Sequence, residues 1–395
     1  MDLPKHQEFL IGNYAPPPLE IVRGKGSNLW DSQGKEYLDF ASGIAVTNLG
    51  HSHPHWVKNI QQQSAELVHC SNLFSIPEQV SLAERLVKKI GPGKILFCNS
   101  GAEANEALIK LSRLHGNQTK NKRSKVLVAT NGFHGRTLGA LSATESIKYR
   151  QGFEPLLPGF VFCRYNDLSD FEQSIDGQTV AILVESIQGE GGLEAASDEF
   201  LLGLETLCSK HNLLFLMDEV QAGIARTGEF LGYQKSGTRP HAIAMAKGLG
   251  GGFPIGAIWV DQQHSQLFTP GSHGTTYGGS PLACTAAHSV LDVIENENLI
   301  EQAKTKGEGF KIGLQNLAAQ FPQKITEIKG RGLMLGLGLT FDPSLLVANL
   351  RENGLIAVGA ARNTLRLLPP LTVKDDEILR ALNILRSGLA QIKLD

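Results

Sequence analysis

The chain has 395 residues, of which 42% are hydrophobic and 19% are charged, so it can bury a sizeable core and is not disordered as a whole. Its 37 lysines and arginines against 39 aspartates and glutamates leave a net charge of −2, which gives no basic surplus for binding nucleic acid. No apolar run approaches the ~20 residues of a membrane span, and the first residues lack the apolar stretch of a secretory signal, so we expect a cytoplasmic protein with no membrane partner.

In chain order, the first 45 residues contain a hairpin-like turn at residues 30–35. Short apolar runs then alternate with amphipathic stretches; the runs lie at residues 95–98, 126–129, 180–184 and 213–217. Such runs are typical of parallel strands that are buried on both faces. From about Leu291 the pattern changes to long amphipathic helices, followed by strand-like segments at residues 330–339 and 364–368.

This alternation predicts an α/β fold in which a large domain is built on a mostly parallel sheet. We expect the large domain to span residues 46–290 and a smaller α+β domain to span residues 291–395. Residues 1–45 are expected to pack with the smaller domain.

A glycine turn followed by a capped helix is predicted at residues 99–106, directly after the first apolar run. Ser100 and Glu103 have the spacing of a capping box, and apolar residues follow with helical period. The free backbone N–H groups at such a helix start suit a phosphate group. For this segment alone, an ordinary capped helix is the more frequent explanation.

Asp218 directly follows an apolar run, which predicts that it lies at the carboxyl end of a central strand. Open α/β sheets bind their ligands at this edge. A carboxylate buried there needs a partner, because unpaired burial of a charge is costly. The partner is either a nearby arginine or the protonated ring nitrogen of a cofactor.

Lys247 ends another strand-like run and is followed by a loop rich in glycine, residues 248–252. A lysine that emerges from a strand of small residues is desolvated, which lowers its pKa and favours Schiff-base chemistry. Taken alone, it is more often a surface lysine. Together, however, the three segments supply a phosphate site, a buried acid and an activated amine, which are the groups that pyridoxal phosphate requires.

Over about residues 7–390 the chain resembles the class III (ω-amino) aminotransferases of the aspartate-aminotransferase-like fold. The three segments above carry this resemblance together with further motifs in register: Gly50-His51-Ser52-His53-Pro54, Ser71-Asn72-Leu73-Phe74, Phe133-His134-Gly135-Arg136-Thr137, Gln188-Gly189-Glu190-Gly191-Gly192, Asp218-Glu219-Val220-Gln221 and His273-Gly274-Thr275-Thr276-Tyr277-Gly278-Gly279. The resemblance implies fold type I of the pyridoxal-phosphate-dependent transferases. Within the family, the chain resembles the members of arginine biosynthesis that transfer the ω-amino group of N2-acetyl-L-ornithine to 2-oxoglutarate.

The resemblance implies two catalytic residues. Lys247 would bind pyridoxal 5′-phosphate covalently and move the substrate proton, and Asp218 would keep the pyridine nitrogen protonated. The other residues implied to contact the cofactor are Gly101 and Ala102 at its phosphate, Phe133, Val220 and Gln221 around its ring, Glu219, and Thr276 at the phosphate of the neighbouring subunit. The last contact implies a homodimer with shared active sites.

The resemblance also implies a set of substrate contacts. Arg136, with Thr275 close to it, would hold a carboxylate of the amino donor, and Arg366 would hold the α-carboxylate of glutamate. Glu190 would mask Arg366 while the ω-amino donor is bound. Tyr14 is a further predicted substrate contact.

Two questions stay open in the sequence. The donor stays undecided among acetylornithine, succinylornithine, ornithine, 4-aminobutyrate and an N-acyl-lysine. Three residues that depart from the family pattern leave this choice open, namely Ser186, Ala222 and Ala225. An aminomutase or decarboxylase on the same fold, or a binding protein that has lost catalysis, are the alternatives of other classes.

No metal is expected, because His51, His53 and His55 match the family's Gly-His-x-His-Pro turn rather than a zinc pattern.

Overall fold

The computed structural model describes residues 8–394 of the chain. Its α-helices are Pro54–Glu66, Pro77–Ile90, Gly101–Asn117, Leu138–Ser142, Ile147–Arg150, Leu168–Ser174, Asp198–His211, Pro281–Asn296, Leu299–Gln320, Pro343–Glu352 and Asp375–Gln391. Short 3₁₀ helices cover Gly232–Ser236 and Lys247–Leu249. The segment Ser42–Ala45 is a left-handed turn, since its four residues have φ between +47° and +65°.

The strands of the described residues are numbered in chain order: β1 (Ile21–Lys25), β2 (Asn28–Asp31), β3 (Glu36–Asp39), β4 (Gly93–Cys98), β5 (Lys125–Ala129), β6 (Phe160–Cys163), β7 (Thr179–Glu185), β8 (Ile187–Gln188), β9 (Glu194–Ala195), β10 (Leu214–Asp218), β11 (Ala242–Met245), β12 (Gly256–Asp261), β13 (Ile325–Arg331), β14 (Met334–Leu339), β15 (Leu355–Ile356), β16 (Val358–Ala360) and β17 (Thr364–Leu367). The central sheet has seven strands in the order β4-β12-β11-β10-β7-β5-β6. All of them run parallel except β12, which is antiparallel to both of its neighbours.

The predicted α/β fold with a large, mostly parallel sheet is confirmed. The four apolar runs of the sequence correspond to β4, β5, β7 and β10. The reversed direction of β12 was not predicted, because a short apolar run has the same pattern in either direction.

The first and last parts of the chain meet in a second sheet of order β1-β2-β3-β15. In that sheet Leu38 of β3 pairs in parallel with Leu355 of β15. A third sheet, β13-β14-β17-β16, contains the strand-like segments predicted near the C-terminus. The helix Pro281–Asn296 runs through residue 290, so no loop marks the expected boundary there, and the division at 45 and 290 stays a prediction.

Strands β7, β10 and β11 are buried along their whole length, as expected for strands covered on both faces. They end at Glu185, Asp218 and Met245. Because these strands are parallel, the three residues lie at the same edge of the sheet. Within residues 8–394, none of the helices combines the length and the apolar composition that a bilayer crossing needs.

Candidate active site

A cavity of about 400 Å³ lies at the carboxyl edge of the central sheet. Eight of the predicted site residues line it: Gly101, Ala102, Phe133, Arg136, Asp218, Val220, Gln221 and Lys247. They come from four segments of the sequence and are brought together because each segment lies at or just after the end of a strand. This is the position at which α/β sheets bind ligands.

Asp218 forms the floor of the cavity and is only 4% exposed. Its Oδ2 accepts hydrogen bonds from Asn105 Nδ2 at 2.7 Å and from His134 Nδ1 at 2.8 Å. Its Oδ1 accepts the N–H of Val220 at 3.0 Å. Within the described residues no arginine or lysine pairs with this carboxylate. Of the two partners that the sequence left open for Asp218, the arginine is therefore not found among these residues.

His134 and Glu185 extend the buried network around Asp218. Glu185 Oε1 accepts the N–H of Phe133 at 3.0 Å, and burial raises the pKa of this carboxyl to about 8. Burial alone would lower the pKa of His134, but its hydrogen bond to Asp218 and the charges of Asp218 and Glu185 raise it. Neither His134 nor Asn105 was predicted, although both lie within the quoted motifs.

Lys247 follows β11 directly and begins a single 3₁₀ turn. Its φ is +45°, a left-handed conformation that is unfavourable for a residue with a side chain. Burial lowers the pKa of the Lys247 amine to about 8. A larger fraction of this amine is therefore neutral and nucleophilic at neutral pH than for an ordinary lysine.

The helix Gly101–Asn117 starts at the wall of the cavity. Ser100 caps it by accepting the N–H of Glu103 at 3.2 Å, as the sequence spacing predicted. At Gly101 an added Cβ would lie 2.6 Å from Val220 Cγ1, so only glycine fits. Because glycine has no side chain, the first N–H groups of the helix stay accessible to a ligand.

Arg366 is 1% exposed and lies behind the cavity. Its guanidinium donates to Glu190 Oε1 at 2.6 Å, to Gln221 Oε1 at 2.8 Å and to the Gly189 carbonyl at 3.1 Å. Burial raises the pKa of Glu190, but the charge and hydrogen bond of Arg366, with smaller contributions from Lys247 and Gln221, together hold it below its usual range. The two residues thus form an ion pair, as the predicted masking of Arg366 requires.

Arg136 lies at the exposed rim of the cavity and contacts aromatic rings. Its guanidinium carbon is 3.8 Å from the ring centroid of Tyr149 and 5.6 Å from that of Phe133. Tyr149 was not predicted, and its short helix, Ile147–Arg150, carries no motif that would have identified it. A second cavity lies beside the first across Phe133 and is lined by Tyr149 and Glu190 among others.

The remaining predicted residues lie outside the main cavity. The Glu219 carboxylate accepts the N–H groups of Gly232 at 2.8 Å and Tyr233 at 3.0 Å, and its contact with the cofactor stays a prediction. Thr275 Oγ1 accepts a hydrogen bond from Asn99 Nδ2 at 3.1 Å, next to the start of the capped helix. Thr276 and Tyr14 are exposed and do not line the cavity of their own chain.

One group of metal-ligand types lies close together among residues 8–394: His241, Asp261 and His264. It is at the opposite edge of the sheet, and its polar atoms are already engaged. His241 Nδ1 accepts the N–H of Phe215 at 2.8 Å, and His264 Nδ1 contacts Asp261 Oδ1 at 2.8 Å. Since a neutral ring that accepts at Nδ1 carries its hydrogen on Nε2, His241 has no lone pair free for a metal in this arrangement.

Comparison with known proteins identifies the family. The family model of aminotransferase class-III matches residues 11–389. The chain is 46% identical to the acetylornithine aminotransferase of Aquifex aeolicus over 382 residues, covering 96% of this chain and 100% of the relative. It is 43% identical to the acetylornithine aminotransferase of Caldanaerobacter subterraneus subsp. tengcongensis over 389 residues, covering 98% of each.

A solved structure of an aminotransferase is similar to this chain over nearly its whole length. The ornithine aminotransferase of Toxoplasma gondii superposes with a TM-score of 0.94 at 31% identity, covering 98% of this chain and 94% of that one. The protein therefore belongs to the class-III aminotransferase family. It is an aminotransferase, as the motifs predicted.

Proposed function

We propose that the protein transfers the ω-amino group of N2-acetyl-L-ornithine to 2-oxoglutarate, giving N-acetyl-L-glutamate 5-semialdehyde and glutamate, with pyridoxal 5′-phosphate as cofactor. This reaction belongs to arginine biosynthesis. The observation that carries the proposal is the pair of arginines, with Arg136 lining the cavity and Arg366 bonded behind it to the lining residue Gln221 and to Glu190. The relatives at 43% and 46% identity support the choice of donor.

The residues of the cavity fit pyridoxal phosphate. Lys247 offers an amine whose pKa is lowered by burial to about 8, which suits covalent capture of an aldehyde. Asp218 offers a buried carboxylate without a cationic arginine or lysine partner among the described residues, which suits a protonated ring nitrogen. The start of the helix at Gly101 offers N–H groups to a phosphate, and Phe133 offers an aromatic face.

When bound, pyridoxal phosphate supplies an electron-withdrawing ring that stabilises negative charge on the substrate carbon. Asp218 holds the proton of the ring nitrogen, and its hydrogen bonds from Asn105 and His134 keep it in place before the ligand arrives. As a neutral amine, Lys247 would take the proton from the substrate carbon and deliver it to the carbon of the cofactor that receives the amino group.

The two arginines divide the recognition of two substrates. The donor presents its terminal amine and glutamate presents its α-amine, so one fixed clamp on the α-carboxylate cannot serve both. Arg136 binds the α-carboxylate of the donor in one half-reaction and the distal carboxylate of glutamate in the other. Arg366 binds the α-carboxylate of glutamate once Glu190 has moved away, and guanidinium geometry favours both contacts.

A half-reaction screen tests this proposal. The enzyme loaded with pyridoxal phosphate is mixed with one amino donor at a time, and the loss of absorbance near 420 nm is followed. N2-acetyl-L-ornithine should react with a higher second-order rate constant than ornithine, succinylornithine, 4-aminobutyrate or an N-acyl-lysine. A clear preference for free ornithine would contradict the proposed donor. It would make ornithine the substrate, as in the name of the Toxoplasma gondii relative.

A homodimer with shared active sites is part of the proposal. Thr276 is exposed and outside the cavity of its own chain, and its neighbour Tyr277 is 65% exposed, as expected for residues that a second copy would cover. Mixing inactive Lys247→Ala with an inactive Thr276 variant should restore part of the activity through hybrid dimers. A fully active monomer at nanomolar concentration would rule the shared site out.

A further inference from the structure

Arg136 lies on an irregular segment between β5 and the helix Leu138–Ser142. An exposed, flexible side chain on such a segment has many conformations, and each one that must be excluded costs entropy when substrate binds. Tight binding therefore requires neighbours that fix the backbone beside it.

Glu106 supplies one such constraint from the middle of the helix Gly101–Asn117. Its Oε1 accepts hydrogen bonds from Thr137 Oγ1 at 2.5 Å, from the Gly139 N–H at 2.9 Å and from the Ala140 N–H at 3.2 Å. These donors follow Arg136 directly in the chain. A side chain at Gly139 would collide with the Glu106 carboxylate, so glycine leaves room for the contact.

Asn105, the preceding residue of the same helix, fixes the other side of the segment. Its Nδ2 donates to the His134 carbonyl at 2.8 Å and to Asp218 Oδ2 at 2.7 Å. Arg136 is thus held between an anchor at His134 and an anchor at Thr137. Both anchors belong to the helix whose first residue, Gly101, lines the proposed phosphate position.

We propose that Glu106 is a positioning residue that sets the place of Arg136 relative to the cofactor, and so the affinity for substrate carboxylates, without touching substrate. The inference rests on the proposed role of Arg136 as a carboxylate clamp. One rigid helix then fixes the distance between the cofactor phosphate and the clamp. Three of these contacts, with the His134 carbonyl and the Gly139 and Ala140 N–H groups, act on the backbone, so Arg136 keeps the freedom of its side chain.

The test compares Glu106→Ala and Glu106→Gln in the loaded enzyme. KM and kcat are measured for the donor and for 2-oxoglutarate, together with the inhibition constant of glutarate, a dicarboxylate that carries no amine. Glu106→Ala should raise both KM values and the glutarate constant about tenfold, which is about 1.4 kcal/mol, with kcat changed by less than about twofold. Glu106→Gln keeps an oxygen that accepts the same N–H and O–H groups, so it should recover most of the loss.

Glu84→Ala is the matched control, because Glu84 is also a helical glutamate but pairs only with Lys88 on the surface. It should leave every constant unchanged. If Glu106→Ala fails to fold, Thr137→Val removes one of the three donors and should raise the glutarate constant about threefold. In an Arg136→Ala background, Glu106→Ala should cause no further weakening, because the clamp that it positions is absent.

Four results would overturn the proposal. Unchanged glutarate binding in Glu106→Ala, together with weakened binding in Arg136→Ala, removes the positioning role and leaves the proposed function intact. A loss of the same size with and without Arg136, or a fall in kcat at constant KM, means that Glu106 only stabilises the fold. Wild-type glutarate binding in Arg136→Ala removes the clamp and this inference together.

Discussion

The floor and the rim of the cavity are built in opposite ways. On the floor, Asp218 is buried and fixed by three hydrogen bonds from Asn105, His134 and Val220. At the rim, Arg136 is exposed and rests on the faces of aromatic rings. A preorganised floor needs no rearrangement when charge develops on the reacting atoms. If the proposed roles hold, the difference teaches that the groups serving both half-reactions are fixed, whereas the group that meets two different substrates can move.

The Arg366–Glu190 pair lies between these two extremes. The arginine side chain is 2% exposed and the glutamate side chain is 23% exposed. Glu190 can therefore turn toward solvent while Arg366 stays in place, held also by Gln221 and the Gly189 carbonyl. Variants at Lys247 and Asp218 should lower the rates of both half-reactions. Variants at Arg366 and Glu190 should change the rate of one half-reaction more than that of the other.

The largest effect is expected at Lys247. Lys247→Ala removes both the amine that captures the cofactor and the base that moves the substrate proton, so steady-state turnover should be lost. Lys235→Ala is the control, because that lysine is exposed and paired with Asp198. Borohydride reduction of the loaded wild type followed by peptide mapping should label Lys247, and a label at another lysine would refute the assignment.

Asp218→Asn should lower the rates of both half-reactions by a similar factor. The substitution keeps the shape but removes the charge that holds the ring proton, and a charge-assisted hydrogen bond contributes roughly 1.5–3 kcal/mol, or about 10- to 150-fold. The loss should be larger still, because stabilisation of the substrate carbanion depends on the protonated ring. Near-normal kcat in this variant, with Asp198→Asn as control, would leave Asp218 a structural carboxylate.

Arg366→Ala should separate the half-reactions instead of lowering both. The glutamate half-reaction loses its α-carboxylate partner, which costs on the order of 100-fold for a buried charged pair. The donor half-reaction should change little, because Arg366 is paired with Glu190 in that step. Single-turnover rates with each substrate decide this, with the exposed Arg362→Ala as control. Equal losses in both halves would remove the switch.

The pH dependence of cofactor capture tests the protonation of Lys247 alone. Burial lowers the pKa of Lys247 to about 8, and only the neutral amine attacks an aldehyde. In the apoenzyme, the rate of capture should therefore rise about tenfold per pH unit below pH 8 and level off above it. Absorbance near 420 nm after mixing with pyridoxal phosphate measures this rate. A rate that keeps rising to pH 10 would mean that Lys247 titrates as an ordinary exposed lysine.

The sequence predicted the floor better than the rim, for a physical reason. Lys247 and Asp218 follow apolar strands, and parallel strands bring their carboxyl ends to one edge whatever the loops do. Asn105 and His134 lay within quoted motifs, yet their contact with Asp218 depends on how the helix Gly101–Asn117 packs on the sheet. Residue spacing carries no such packing information.

The rim depends on segments that are remote in sequence and irregular in structure. Tyr149 lies on the short helix Ile147–Arg150, and its contact with Arg136 depends on how that helix packs beside the cavity. Glu219 lies next to Asp218 in the chain, yet its carboxylate bonds to Gly232 and Tyr233, which adjacency in the sequence does not predict. The antiparallel direction of β12 was likewise outside the reach of an apolar pattern.

The smallest and most selective effect is expected from Glu190→Gln. The neutral amide still accepts a hydrogen bond from Arg366, but it no longer offsets the arginine charge, so a substrate carboxylate competes for the guanidinium more easily. The ratio of glutamate to donor rates should rise about five- to tenfold, equivalent to roughly 1–1.4 kcal/mol. Glu194→Gln is the matched control, since Glu194 also pairs with an arginine but on the surface, at Arg362. The charge of Glu190 also raises the pKa of Lys247, so its removal should lower that pKa and make capture of the cofactor somewhat faster at neutral pH. An unchanged ratio would mean that Arg366 is already accessible to substrate in the presence of Glu190, and the mobile part of the site would then be Arg136 alone.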